Sequence, residues 1–189
     1  MSASITLNHQ GQEFFLARPA VALGPAFLEF LNEFKARGEG HFVFEDVLET
    51  AGLPAYVAWL EQGERGELAH AGYVPWSAYW LVDASNNSVV GISSLRHELN
   101  MPMRTRGGHV GYRVRPSRRR SGLGSLLLRE MARLGHQRGI DPVMVVCHED
   151  NIESAGLILS CGGTEYEPIL DGERNLRRFR LHADSRPRR

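Results

Sequence analysis

Apolar residues recur along this chain with two different periods, and the switches between them outline its elements. Residues 14–18 alternate like a strand and are closed by Pro19. Over residues 25–37 the spacing turns helical, with Phe27, Phe30, Leu31 and Phe34 on one face and Gly38 as the stop. Residues 42–48 and 56–60 predict two short helices, the second followed by a charged, Gly-containing loop through Gly72. Residues 78–83 and 88–95 predict strands joined by a turn at Ser85, Asn86 and Asn87. A loop with Pro102, Gly107 and Gly108 leads into a strand over 109–115. The helix predicted for 122–138 sets Leu123, Leu126, Leu127, Met131 and Leu134 against Arg129 and Arg133, and Gly139 caps it. Residues 142–147 form the unbroken apolar run of a central strand. A short helix over 152–161 ends at Gly162 and Gly163, and strands over 164–169 and 176–181 form a hairpin around Asp171 and Gly172.

This order predicts an α/β fold: a mixed, twisted sheet with helices on both faces. The 189 residues suit one domain, expected over 1–182, with 183–189 as a flexible tail. No apolar run reaches the ~18 residues of a membrane span, and the N-terminus lacks a basic-then-apolar leader. Cys147 and Cys161 sit in core-like segments and do not make a disulfide framework, so a reducing cytoplasm is expected.

Zero net charge hides a strong asymmetry: residues 1–95 carry −7, residues 96–138 carry +9 and residues 139–189 carry −2. Nucleic-acid binding would need aromatic platforms or a reading helix beside that basic centre, and none is evident. A ligand with several phosphates explains the charge locally. No metal is expected, because the His and Cys residues lack ligand spacing.

The stretch from Arg113 to Ser125 carries that explanation. A strand stopped by Pro116 gives way to a turn holding Arg118, Arg119, Arg120 and Ser121, then Gly122 and Gly124 open an amphipathic helix. Unpaired N–H groups and the positive dipole end at a helix start attract anions, and glycines let phosphates approach the backbone. A P-loop would need a lysine that is absent here. The dinucleotide fingerprint would need a glycine where Leu127 stands.

Strand, Arg-x-x-Gly-x-Gly, helix is the order of the acyl-CoA pyrophosphate loop in the GCN5-related N-acetyltransferases, and this segment resembles it. Residues 73–182 resemble a bacterial branch of that superfamily known mainly as predicted acetyltransferases; the match runs through Leu95 to Asn100, Gly107 to Pro116 and Cys147 to Ala155. The resemblance implies that the backbone of Arg119, Arg120, Ser121, Gly122, Leu123, Gly124 and Ser125 binds the pyrophosphate of acetyl-CoA. It implies that Arg113 and Val114 pair with the pantetheine arm, and that an amide near Val114 faces the thioester carbonyl. Asn151 matches the side chain that bonds the arm from the far side; it also suits a plain helix N-cap. Many relatives place a tyrosine eight residues after that Asn to protonate the departing thiolate. Here the position is Leu159, which leaves the acid unassigned.

The activity so implied is N-acetyl transfer from acetyl-CoA to a primary amine of a small molecule or peptide, by direct attack. The alternative is a non-catalytic acyl-CoA sensor or scaffold. His109 and His97 are the base candidates, Glu98 and Glu149 the substitutes. Cys147 reads as an inert core thiol rather than a covalent relay. Arg96, Arg104 and Arg106 are candidates to grip an acidic group on the acceptor, whose wall is expected from residues 38–75 and 99–108. Neither membrane nor nucleic-acid partners are expected, and an exposed sheet edge offers a route to a homodimer.

Overall fold

The computed structural model describes residues 4–39, 45–171 and 174–184. Its chain begins with a hairpin that the strand expected over 14–18 only half captured: β1 (Ile5–His9) pairs antiparallel with β2 (Gln12–Ala17). Gln10 and Gly11 turn it with φ of 50° and 78°. Positive φ at both central residues matches the right-handed twist of the flanking strands.

Helix α1 (Gly24–Ala36) buries Phe27, Phe30, Leu31 and Phe34, the face its spacing predicted. Helix α2 (Glu45–Glu64) merges the two expected short helices across a kink at Gly52, whose φ of 79° and ψ of 176° no helix contains. The second limb runs on past the expected stop at residue 60. Phe42, Val43 and Phe44 of the first expected helix lie outside the described residues.

Strands β3 (Trp76–Asp83), β4 (Val89–Arg96) and β5 (Val110–Val114) extend the first sheet in the order β1-β2-β3-β4-β5, all antiparallel. Between β4 and β5 the structure inserts a short helix, α3 (Met101–Arg106), where a loop was expected. Pro102 had suggested irregular chain, but a helix tolerates proline in its first turn, and Asn100 caps this one by accepting from Met103 N. Helix α4 (Leu123–Gln137) then leads to β6 (Val143–His148), α5 (Ile152–Ser160), β7 (Thr164–Asp171) and β8 (Arg174–Leu181). The last three strands form a second antiparallel sheet ordered β6-β8-β7. Gly172 of the expected closing turn, and residues 185–189 of the expected tail, lie outside the described residues.

The α/β class holds, with helices on both faces, but the strands divide between two sheets instead of one. Those sheets touch where Gly108 bridges Val145 and His109 N donates to Met144 O at 2.7 Å. Gly108 has a φ of 66°, and a Cβ there would sit 2.6 Å from the Met144 carbonyl oxygen, so only glycine allows the junction. Beyond it β5 pairs with β4 and β6 with β8, and a cleft separates β5 from β6.

Seven of the eight residues of β3 are buried, which is why residues 78–82 form an unbroken apolar run. On one face α4 packs Leu123, Leu127, Leu128 and Met131 against Leu81, Leu95, Val143 and Phe179. On the other, α1 and α2 cover Trp76, Trp80, Val82 and Val89, with the Phe27 and Trp80 rings stacked at 4.2 Å.

Candidate active site

The segment joining β5 to α4 is held from three sides. Glu33 of α1 accepts from Arg115 Nε at 2.6 Å, from Ser117 Oγ at 2.9 Å and from the Ser117 amide. Burial would raise the Glu33 carboxyl, but these donors outweigh it and hold it below the usual carboxylate range. Arg118 turns inward: its Nη1 donates to Asp83 Oδ2 at 2.8 Å and its Nη2 to Gln12 Oε1 at 3.3 Å. Arg119 pairs with Glu39 and lies 5.5 Å over the Phe34 ring. From the first hairpin, the His9 ring nitrogen Nε2 reaches the Ser121 carbonyl oxygen at 2.9 Å.

Two of the three consecutive arginines are therefore bound to carboxylates, and the expectation that all three lend charge to a phosphate needs correcting. What the turn offers instead is backbone. Arg120 is exposed at φ 63°, and Gly122 caps α4 at φ 80° with no side-chain cap among the described residues and no acid in the first turn. The leading amides of α4 receive no capping side chain, at the positive end of a 15-residue helix. That fits the anionic bridge of a CoA-type carrier. Glycine at 122 is required by its φ, and a Cβ there would also fall 2.6 Å from His9 Nε2, so the ring tip would have to shift. Gly124 has a packing role as well: its Cβ would meet Leu157 Cδ1 of α5 at 2.5 Å.

Strand register decides which amides face the cleft. Arg115 N donates to Val90 O and Arg96 N to His109 O, so the odd-numbered peptide groups of β5 point toward β4. By alternation those of Tyr112 and Val114 point toward the opposite edge, where no ladder forms among the described residues. The Val114 amide thus lies on the edge of β5 away from β4. The Arg113 backbone faces β4 instead, while its guanidinium lies 5.9 Å over Phe34.

Asn151 caps α5, its Oδ1 accepting from Ser154 N at 3.0 Å, which is the plain N-cap role. Leu159 packs against the core. The residue that sequence reasoning missed is Tyr112. Its hydroxyl crosses the cleft to Ser154 Oγ at 2.9 Å, and burial pushes its pKa up to about 12. An alternating strand with a tyrosine two residues before Val114 was the available signal.

The histidines are engaged in structure. His109 is buried, and its Nδ1 accepts from Met144 N at 2.9 Å, pinning the sheet junction. His97 Nε2 lies 2.8 Å from Ser77 Oγ, which donates its proton to Glu64 at 2.9 Å; the imidazole is therefore the donor. Desolvation, with Arg104 and Arg96 near His109 and Arg138 and Arg18 near His97, lowers both pKa values to about 4. Glu98 and Glu149 are exposed, and Glu149 accepts from Asn175. Burial raises the Cys147 thiol, as an inert core cysteine requires.

A cavity of about 620 Å³ opens on the α2 side of the sheet. Tyr56, Tyr73, Trp76 and Met103 contribute to its walls, and Arg96, Gly111, Tyr112 and Arg113 also border it. Neither His97 nor His109 lines it. Among the described residues no cluster of His, Cys, Asp or Glu could hold a metal, and no helix is long and apolar enough to cross a membrane.

The model of the GNAT acetyltransferase family matches residues 30–162, more than half of the chain. The chain belongs to that family, and with it to the acyltransferases. No curated protein matches it. Solved structures resemble it across nearly its whole length. RimL, a ribosomal L7/L12 alpha-N-protein acetyltransferase in complex with coenzyme A, is 17% identical, with 96% of this chain and 100% of that one covered and a TM-score of 0.67. The ribosomal-protein-S5-alanine acetyltransferase from Vibrio fischeri is 13% identical over 97% and 100%, with a TM-score of 0.68. Mycobacterium smegmatis RimJ in complex with CoA-disulfide is 14% identical over 98% and 89%, also at 0.68. At such identities the likeness carries the fold.

Proposed function

We propose that this protein transfers the acetyl group of acetyl-CoA to a primary amine by direct attack. One observation carries the reading: β5 borders both halves of the reaction. Its C-terminal end runs into the turn with uncapped amides at the start of α4, and Gly111, Tyr112 and Arg113 border the acceptor-sized cavity. A carrier held by that turn and an amine seated in that cavity meet at one strand.

In this reading the backbone of Arg119 to Ser125 holds the pyrophosphate, the amides of Val114 and Tyr112 pair along the arm, and Asn151 bounds it from α5. The Val114 amide stands where a donor would stabilise charge developing on the thioester oxygen. As the C–N bond forms and the C–S bond breaks, the Tyr112 hydroxyl donates a hydrogen bond to the departing sulfur. With a pKa of about 12, this phenol holds its proton more tightly than a thiolate would, since a thiol ionises near ~8.5. It steadies the sulfur, and solvent completes the protonation. His97 and His109 are not carried forward as bases; the amine sheds its proton to water in the cavity.

The test is turnover. Purified protein with acetyl-CoA and a panel of amines should release free thiol and yield acetylated amine. CoA binding without transfer to any amine would favour the sensor alternative. No CoA binding would overturn both.

A further inference from the structure

Of the three arginines that could grip an acidic group on the acceptor, the fold places one at the cavity. Arg104 and Arg106 are exposed on α3, whereas Arg96, ending β4, lines the cavity. Its Nη1 donates to the Gly108 carbonyl oxygen at 3.0 Å, which uses one of the five N–H donors of the guanidinium fork. Burial lowers its pKa, and no carboxylate of the described residues offsets that cost. Three arginines of the turn before α4 have acidic partners: Arg115 has Glu33, Arg118 has Asp83 and Arg119 has Glu39. No Asp or Glu lines the cavity among the described residues. Arg96 is half-buried, and a charge drawn away from water is ordinarily paired.

From this we infer that the acceptor is a small primary amine that carries a carboxylate and a flat apolar body. The carboxylate pairs with Arg96, and the body lies among Tyr56, Tyr73, Trp76 and Trp80. This inference rests on the acetyl-transfer reading and names its substrate class. The planar guanidinium fork matches a carboxylate bidentately, and the other arginine bordering the cavity, Arg113, lies 5.9 Å over the Phe34 ring. The volume, about 620 Å³, lies in the range that encloses small ligands.

The experiment titrates the full-length protein, saturated with CoA, with matched products by calorimetry. N-acetylphenylalanine and N-acetylphenethylamine differ by the carboxylate alone. The acid should bind roughly 10- to 100-fold more tightly, as expected for a charge-assisted pair. Arg96→Gln should abolish the preference, and Arg96→Lys, which keeps the charge should the Gln variant fold poorly, should retain part of it. Equal affinities, no binding of either product, tighter binding of acetylated phosphoethanolamine, or a preference that survives Arg96→Gln would each overturn the inference. Transfer to free phenylalanine and phenethylamine is measured in parallel. Transfer without carboxylate preference removes this inference alone. Preference without transfer removes the catalytic reading and leaves the anion site standing.

Discussion

The Arg118–Asp83 pair separates two accounts of the basic turn, and its removal should be felt in stability and hardly in CoA affinity. Asp83 is 1% exposed and receives donors from Ser85 Oγ at 2.7 Å, Ser85 N at 3.0 Å and Gln12 Nε2 at 2.7 Å, besides Arg118 Nη1 at 2.8 Å. Burial alone would raise its carboxyl, but these bonds outweigh burial and hold it below the usual range. Removing one partner of a buried ion pair typically costs about 3–5 kcal/mol. Here three donors remain, and the Arg118 side chain is 28% exposed, so water takes over part of its role. Arg118→Ala should therefore cost about 2 kcal/mol, which for a chain of this size lowers Tm by about 4–8 °C. The double variant with Asp83→Asn should lose less than the two singles together, because each single strands the other partner. A depressed carboxyl contributes stability above its unfolded pKa of ~3.9 and loses it as pH falls through the folded value, so Arg118→Ala should also flatten the acid limb of the stability curve.

CoA affinity, measured by calorimetry, should stay within about threefold of the parent, whereas a guanidinium that paired a phosphate would be worth roughly 10- to 100-fold. An unchanged Tm together with a tenfold or greater loss of affinity, on the order of 1.4 kcal/mol, would mean that Arg118 serves the ligand and that Asp83 is satisfied without it.

Other consequences can be checked on the same protein. Tyr112→Phe should lower kcat by about 10- to 100-fold while leaving the KM for acetyl-CoA nearly unchanged, because the ring still packs and only the donor is lost; equal loss in kcat and acetyl-CoA binding would point to a structural role. Gly122→Ala should cost about 1–2 kcal/mol for its left-handed φ alone and more for the contact with His9, and adding His9→Ala should recover the second part only. His109 has a folded pKa of about 4 against ~6.5 unfolded, so its stabilising contribution is complete above pH ~6.5 and declines as pH falls toward 4. His109→Gln should weaken that decline in a denaturation series, and the kcat profile should show no histidine limb near pH ~6.5; a limb there that vanishes in His109→Gln would restore the base assignment.

The fold was legible where one periodicity ran uninterrupted: α1 through its four buried residues, α4 through its leucine face, and β6 through its apolar run. It was illegible where local signals were short or conflicted. Strand β1 has only Ile5 and Leu7 on its inward side, too little alternation to detect without the partner strand. Helix α3 spans six residues and has a proline in second place, so propensity argues against it while the Asn100 cap and the chain around it argue for it. At the site, the glycine turn could be read because φ requirements leave a local mark. The roles of Tyr112, His9 and Arg96 could not, since they depend on which strand edge and which face the register turns toward the cleft.

The charge asymmetry also changes meaning in the folded chain. Read along the sequence, an acidic N-terminal half and a basic centre suggested a polyanion held by arginines. In space the two segments answer each other: Glu33, Glu39 and Asp83 of the acidic half take Arg115, Arg119 and Arg118 of the basic centre, and Glu64 lies within 3.7 Å of Arg138. Three of these four contacts lash the turn before α4 to α1, to its C-terminal side and to the end of β3. The arginines thus fix the shape of the loop, and in the proposed reading the attraction for a diphosphate falls to the uncapped amides of α4, the dipole behind them and the exposed Arg120. Arg96 lies outside this scheme of internal pairs, at the cavity on the α2 side of the sheet, and for that reason it is an arginine whose partner is expected to come from a ligand.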